Sequence, residues 1–206
     1  MKPWSFSLPA VLVLALTLAA CASTSGGSDG WVTLIDGEKG LENWNQIGDA
    51  NWRVEGGAIV ADKGKGGFLV SKAAYTDFEI RAEFWAATDT NSGVFIRCSD
   101  PAKVGGPTCY EVNIWDIRPE PKYGTGAIVN VAAVPVPLQH TAGGHWNLYE
   151  ITAKGAQLTV RLNGVQTASA QDGKHAAGVF ALQYGPGVKG AQSGPIKWRK
   201  VQIRPL

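Results

Sequence analysis

Two short stretches carry most of the chemistry-bearing residues: Ser92-Gly-Val-Phe-Ile-Arg97 and Cys109-Tyr-Glu-Val-Asn-Ile-Trp-Asp116. Polar and apolar side chains alternate in both at period two, which reads as strand. In the first, Val94 and Ile96 face one way, and Phe95 and Arg97 the other. In the second, Tyr110, Val112 and Ile114 oppose Glu111, Asn113 and Trp115. If the apolar sides face the core, one sheet face gathers guanidinium, carboxylate, amide and indole, which suits a sugar-type ligand. Glu111 is the best general acid or base, because desolvation among aromatics raises a carboxylate pKa. A salt bridge from Glu111 to Arg97 across the hairpin accounts for the same two residues equally well.

Around these stand weaker candidates. Asp116 ends its strand, where it either orients a partner or ligates a metal, or simply makes a turn. His140 lies in a Pro-rich loop from which it could enter a site, whereas His145 and His175 read as surface residues. Among eight tryptophans, Trp44, Trp52 and Trp115 are the ones placed to stack on a sugar ring. Gln183 opposes Phe180 and Leu182, so it joins Glu111 and Asn113 if those two are core. The chain has no Gly-x-Ser-x-Gly elbow, no His-Glu-x-x-His and no phosphate loop.

The elements that must position these groups are short strands. They are expected near 31–35, 51–55, 57–61, 67–71, 78–86, 92–98, 109–116, 126–132, 145–154, 157–163, 165–171, 176–184 and 195–204. Glycine turns separate them, and Asn163-Gly164 is a strong two-residue hairpin signal. Phe78, Ile80, Ala82 and Phe84 alternate as an inward set. Many short antiparallel strands at this spacing define an all-β sandwich or jelly roll. The long irregular stretches 117–125 and 133–144 adjoin the Glu111 strand, and loops of such length tend to be functional.

Residues 1–20 are set apart from the fold: Lys2 precedes an apolar run, Leu8 to Ala20, and then Leu18-Ala-Ala-Cys21. This resembles a bacterial lipoprotein signal, cleaved before Cys21 and lipidated on it. The run is shorter than the ~20 residues a bilayer-spanning helix needs. Residues 21–30 then read as a flexible tether, and 31–206 as one domain. The expected location is the cell envelope, at the periplasmic face of the outer membrane, with membrane contact only through the lipid. The net charge of +2 carries no nucleic-acid footprint. Cys98 and Cys109 bracket the loop between the two opening strands. In an exported protein they are expected to form a disulfide across the hairpin neck.

At this point the chain resembles the 3-keto-disaccharide hydrolase domain family, over most of 31–206. The marks are Leu34-Ile-Asp-Gly, Leu41-Glu-Asn-Trp44, Asp77-Phe-Glu-Ile, Asn91-Ser-Gly-Val-Phe-Ile-Arg97, Tyr110-Glu-Val-Asn-Ile-Trp-Asp116, Thr125-Gly-Ala-Ile128, Trp146-Asn-Leu-Tyr-Glu-Ile, Leu162-Asn-Gly, Gly178-Val-Phe-Ala-Leu-Gln183 and Val201-Gln-Ile-Arg-Pro-Leu. The chain departs from the family where Asn113 replaces the usual glutamine and His145 a frequent glutamate. The resemblance implies a concanavalin-like jelly-roll sandwich of two antiparallel sheets and a small carbohydrate substrate. It implies cleavage of glycosides oxidised at C3: a base removes the acidified C2 proton, the C1 substituent leaves, and water adds back. In that scheme Glu111 is the base, and Arg97 or a divalent cation is the electrophile at the enolate oxygen. His140 or Tyr123 supplies the acid, and Asn113, Trp115, Gln183, Trp44 and Tyr123 contact sugar. A cation would take oxygen ligands, Glu111 or Asp116 among them. The competing reading is a non-catalytic carbohydrate-binding module of the cell envelope.

Overall fold

Alternation along the strands sets two faces, and burial of one face from each sheet builds a sandwich. A computed structural model describes Met1 and residues 29–206. The signal segment, most of the tether and Cys21 therefore lie outside the described residues. There are thirteen strands: β1 (Val32–Asp36), β2 (Trp44–Gly48), β3 (Arg53–Glu55), β4 (Ala58–Ala61), β5 (Gly67–Tyr75), β6 (Phe78–Ala86), β7 (Asn91–Cys98), β8 (Tyr110–Ile114), β9 (Trp146–Lys154), β10 (Gln157–Leu162), β11 (Val165–Gln171), β12 (Gly178–Gly185) and β13 (Ile196–Pro205). No helix among the described residues is long and apolar enough to cross a membrane.

An eight-stranded sheet runs β11-β10-β9-β6-β13-β4-β3, with β1 also pairing β13. A five-stranded sheet runs β2-β5-β12-β7-β8, and every strand pair in both sheets is antiparallel. This is the expected all-β jelly-roll sandwich. Phe78, Ile80, Ala82 and Phe84 of β6 point inward as their alternation requires, against Tyr149, Ile151, Trp198 and Val201. From the other sheet Leu69, Val94, Ile96, Val112, Phe180 and Leu182 close the same core. Burying side chains of this size is worth roughly 1.5–3 kcal/mol each.

Two expectations are corrected. The stretch 126–132 is not a strand: it makes only isolated bridges, Val112 to Ile128 and Ile128 to Ala132. It bonds to β8 at Asn113 and Glu111 but then turns back on itself, with Val131 and Ala132 N–H donating to Ile128 O and Asn130 in a left-handed conformation at φ 60°. Strand β2, conversely, forms where no strand was expected. Its Trp-Asn-Gln-Ile-Gly pairs with β5 over Trp44–Gly48.

Candidate active site

The outer face of the five-stranded sheet carries two aligned rows. One runs Ile47, Phe68, Gln183, Gly93, Asn113 from β2 to β8. The next runs Asn45, Val70, Ala181, Phe95, Glu111. Glu111, Asn113 and Gln183 thus share the face that alternation gave them. Between the two amides stands Gly93, where a side chain would press on Val112 O at 3.0 Å and on Glu111 Cγ at 3.6 Å. Apolar neighbours Val70, Phe95, Ala181, Cys98, Cys109 and Val179 form a second, smaller cluster on this side.

Glu111 is the dominant group. It is half-buried, and its carboxylate accepts no hydrogen bond and makes no ion pair among the described residues. Loss of hydration pushes its pKa from an ordinary 4.5 up to about 7, against a smaller opposing pull from Arg118. A carboxylate balanced near neutrality in a cleft is what a general base requires. It opens into a cavity of about 540 Å³ shared with Tyr110, Asn130, Val131, Asp172, Lys174 and His175.

The other expected residues divide into those brought together and those sent elsewhere. Asn113 is fully buried beside Glu111, with Nδ2 donating to Tyr123 O at 2.6 Å and Oδ1 left without a partner. Trp115 comes one residue after β8, with the Arg118 guanidinium 5.6 Å from its ring centre. Tyr123 reaches the site through its backbone carbonyl. Gln183 makes no side-chain hydrogen bond among the described residues, and its Oε1 is closed off without a partner. Of the eight orphaned buried polar atoms among the described residues, Asn113 Oδ1, Trp115 Nε1 and Arg118 Nε belong to β8 and the residues just after it, Gln183 Oε1 to β12 on the same sheet face, and His175 Nε2 to a residue that lines the Glu111 cavity. Each costs on the order of 1–3 kcal/mol unless something satisfies it.

Arg97 is not on this face. Two residues of β7, Ile96 and Arg97, oppose the single Phe180 of β12, because pairing shifts between Phe95–Ala181 and Cys98–Val179. Arg97 is the extra residue, in a left-handed conformation at φ 53°, and the bulge reverses its facing. Its guanidinium, 1% exposed, donates to Thr76 O, Gly155 O, His175 O and Asp77 Oδ1. It is a clamp between loops, and the expected Glu111–Arg97 pair does not form. The same bulge brings Cys98 opposite Cys109, and the two form the expected disulfide with Cα atoms 4.3 Å apart.

Trp44 is in the core, 5% exposed and edge-on to Phe180 at 5.1 Å. The parity of β2 sends Asn45 and Ile47 outward instead. Trp52 is likewise core. His140 lines a separate groove with Leu138, Val165 and Thr167, so it shares no cavity with Glu111. Asp116 is no free ligand either. Its Oδ1 accepts from Thr125 Oγ1 at 2.6 Å, and its two oxygens accept Ala142 and Gly143 N–H at 2.8–3.0 Å. Among the described residues no three or more His, Cys, Asp or Glu side chains gather to hold a metal. His145 is exposed as expected, but His175 is buried, edge-on to Tyr110 at 4.9 Å. Burial holds its imidazole below the ordinary value, with Lys174 adding to the effect.

Sequence reasoning missed Arg118, Tyr110 and Asp172. Tyr110 Oη donates to Asp172 Oδ1 at 2.7 Å and accepts His175 N–H at 3.0 Å. No local pattern marks that contact, since Asp172 and His175 come from a turn some sixty residues away.

Residues 30–204 match the model of the 3-keto-alpha-glucoside-1,2-lyase-like domain, and the chain belongs to that family of glycoside-related hydrolases and lyases. Among solved structures it is similar to a glycosyl hydrolase candidate from Parabacteroides distasonis ATCC 8503. That match has 26% identity and TM-score 0.68, over 85% of this chain and 99% of the other. A second such structure from that organism shares 19% identity at TM-score 0.69, over 90% and 98%. The carbohydrate-binding module CBM66 from Bacillus subtilis shares 16% at TM-score 0.55, over 85% and 96%; at that identity the likeness is one of fold. No curated protein sequence matches the chain.

Proposed function

We propose that this protein cleaves a glycoside already oxidised to a ketone at C3, with Glu111 as the base that removes the C2 proton. The observation that carries the reading is the unpaired Glu111 carboxylate, raised to about 7 and open to a cavity large enough for a sugar. A C3 ketone acidifies H2. Once Glu111 takes that proton, the electron pair forms the enolate, and the C1–O bond then breaks with its pair on oxygen. The proton count closes when that oxygen takes a proton, from Glu111 or from water. Addition of water across the new C1–C2 double bond completes net hydrolysis. This chemistry needs one base and an electrophile for the enolate oxygen, and not the paired carboxylates of an ordinary glycosidase.

Arg97 is committed to backbone carbonyls, so Arg118 takes over the part of the cation near Glu111. Support comes from the family, named for a 3-keto-glucoside lyase, and from the orphaned Nε2 of His175, a residue lining the same cavity as Glu111, which a hydroxylated ligand or ordered water would satisfy. The proposal places this activity in the cell envelope, with Cys21 lipidated.

The test is to incubate the purified protein with 3-keto-trehalose or methyl 3-keto-α-glucoside and measure released sugar. Release is expected, with Glu111→Gln lowering kcat by about 10²-fold or more while the substrate still binds. No release from either sugar, together with binding of unoxidised glycans, would make this a carbohydrate-binding module instead.

A further inference from the structure

On the same sheet face as Glu111 lies a second opening, of about 590 Å³, lined by Ile47, Asp49, Lys65, Phe68, Lys103 and Gln183 among others. It shares no lining residue with the Glu111 cavity. The divider is the disulfide-closed loop 99–108. Ala102, Lys103 and Val104 wall the second cleft, and Gly106 and Pro107 wall the first. Val104 packs on the apolar cluster that includes Phe95 and Ala181.

The cleft is open, and its walls are fixed by close-packed glycines and backbone hydrogen bonds. Its floor is glycine: side chains at Gly48 or Gly67 would strike Gly66 O at 2.4 Å or Ile47 O at 2.7 Å. Asp49 Oδ1 accepts Lys65 N–H at 2.6 Å, and Asp49 N–H donates to Gly66 O at 2.9 Å. Ser193 Oγ donates to Gly185 O and Asn91 Nδ2 to Pro186 O. The loop wall is cross-braced by Thr108 Oγ1 to Lys103 O at 2.6 Å and Ser99 N–H to Thr108 O at 3.0 Å. Within this frame three features converge. The half-buried Phe68 ring stands edge-on to Phe95 at 5.2 Å. Gln183, its cross-strand neighbour, has an uncommitted amide. Asp49, Lys65 and Lys103 supply a rim of both charges, and neither lysine forms an ion pair among the described residues.

We propose that this cleft is a second carbohydrate site, which binds an unoxidised hexose unit. The apolar face of a pyranose stacks on an aromatic ring, its hydroxyls both donate and accept, and an amide between a carboxylate and ammonium groups answers both roles. A ketone or an acidic C–H plays no part, so the site reads the portion of a glycan that the chemistry leaves unchanged. That portion is either the leaving ring of the substrate or a separate glycan. The substrate alternative rests on the function proposed above; the binding itself does not.

The test is an NMR titration of the intact protein with trehalose. The expected result is movement of the Gly66, Gly67 and Gly185 amides and the Gln183 side-chain NH₂, with Asn130 and Lys174 unmoved and Glu111→Gln without effect. Phe68→Ala should weaken binding by about tenfold. Phe68→Leu, which keeps apolar bulk and guards against misfolding, should weaken it as well by removing the ring face. Unmoved cleft signals at millimolar sugar, or wild-type binding by Phe68→Leu, would overturn the site. The source is read from turnover. A raised KM for 3-keto-trehalose in Phe68→Leu, with methyl 3-keto-α-glucoside unchanged, identifies the leaving ring. Unchanged turnover of both, with trehalose binding lost, identifies a separate glycan. A protein that binds trehalose in the cleft and cleaves neither ketone keeps this site and loses the enzymatic reading.

Discussion

Arg97 holds Asp77 at 3.0 Å from within the fold, on the far side of the sheet from Glu111. One cation there gathers Thr76 O at 2.8 Å and Gly155 O at 2.6 Å, with His175 O longer at 3.3 Å. It thereby ties the start of β6, the β9–β10 turn and the turn before β12 together. Replacing it leaves several buried carbonyls unpaired, and a lysine cannot match a planar fork of donors.

Arg97→Lys is therefore expected to lower unfolding free energy by about 2–4 kcal/mol, measured by urea denaturation. Asp77→Asn should cost less, because Asp77 is one-third exposed and its amide oxygen still accepts. Both variants should retain kcat on a 3-keto-glycoside where they remain folded. A fall in kcat with stability intact would return Arg97 to the catalytic set.

Glu111 opposes activity to stability along the pH axis. Its folded pKa stands above the unfolded one, about 7 against 4.5, so the native state binds the extra proton between those values. Stability therefore falls as pH rises from about 4.5 to 7, by at most about 3 kcal/mol. Activity should rise through the same window, since only the ionised carboxylate removes H2. Glu111→Gln should flatten this part of the stability curve, making the protein more stable than wild type above pH 7 while lowering kcat by about 10²-fold or more. Parallel denaturation and kcat/KM profiles from pH 4 to 9 check both arms; a wild-type rate that falls through pH 7 would remove Glu111 as the base.

The outer-face set was legible because period-two alternation is a local property. Glu111, Asn113 and Gln183 needed only their own strands to be read correctly, and the Cys98–Cys109 pair only a hairpin. What failed involved distant partners. The parity of Arg97 was overturned by an inserted residue whose reason lies in the carbonyls of Thr76, Gly155 and His175, contacts 21, 58 and 78 residues away. Trp44 was misassigned because β2 was not recognised, and without a strand there is no parity to read. His140 and His175 exchanged expectations for a similar reason: burial of a turn histidine follows from what packs over it, here Tyr110.

Asp116 anchors the 140s loop rather than a ligand. Its carboxylate collects the Ala142 and Gly143 amides and the Thr125 hydroxyl, and charged acceptors make the stronger hydrogen bonds. Asp116→Ala should cost about 2–3 kcal/mol and release amide-exchange protection at Ala142 and Gly143, as hydrogen exchange would record. Full protection at those two amides in the variant would contradict this role.

The disulfide stabilises the fold and also keeps the two clefts apart. With its cysteines eleven positions apart in sequence, loop-closure entropy gives a stabilisation of about 2–3 kcal/mol. The loop it closes carries Val104 on one side of the divide and Pro107 on the other. The double variant Cys98→Ser/Cys109→Ser should therefore lower the urea midpoint and raise amide exchange over 99–108, while the core amides of β6 and β13 stay protected under native conditions. Trehalose binding should weaken along with it, because Lys103 and Val104 lose their fixed positions as a wall of the second cleft. The internal bonds of the loop, Thr108 to Lys103 and Gly105, act locally and cannot alone hold its two ends over the sheet. Unchanged exchange over 99–108 would mean that packing of Val104 suffices without the covalent link.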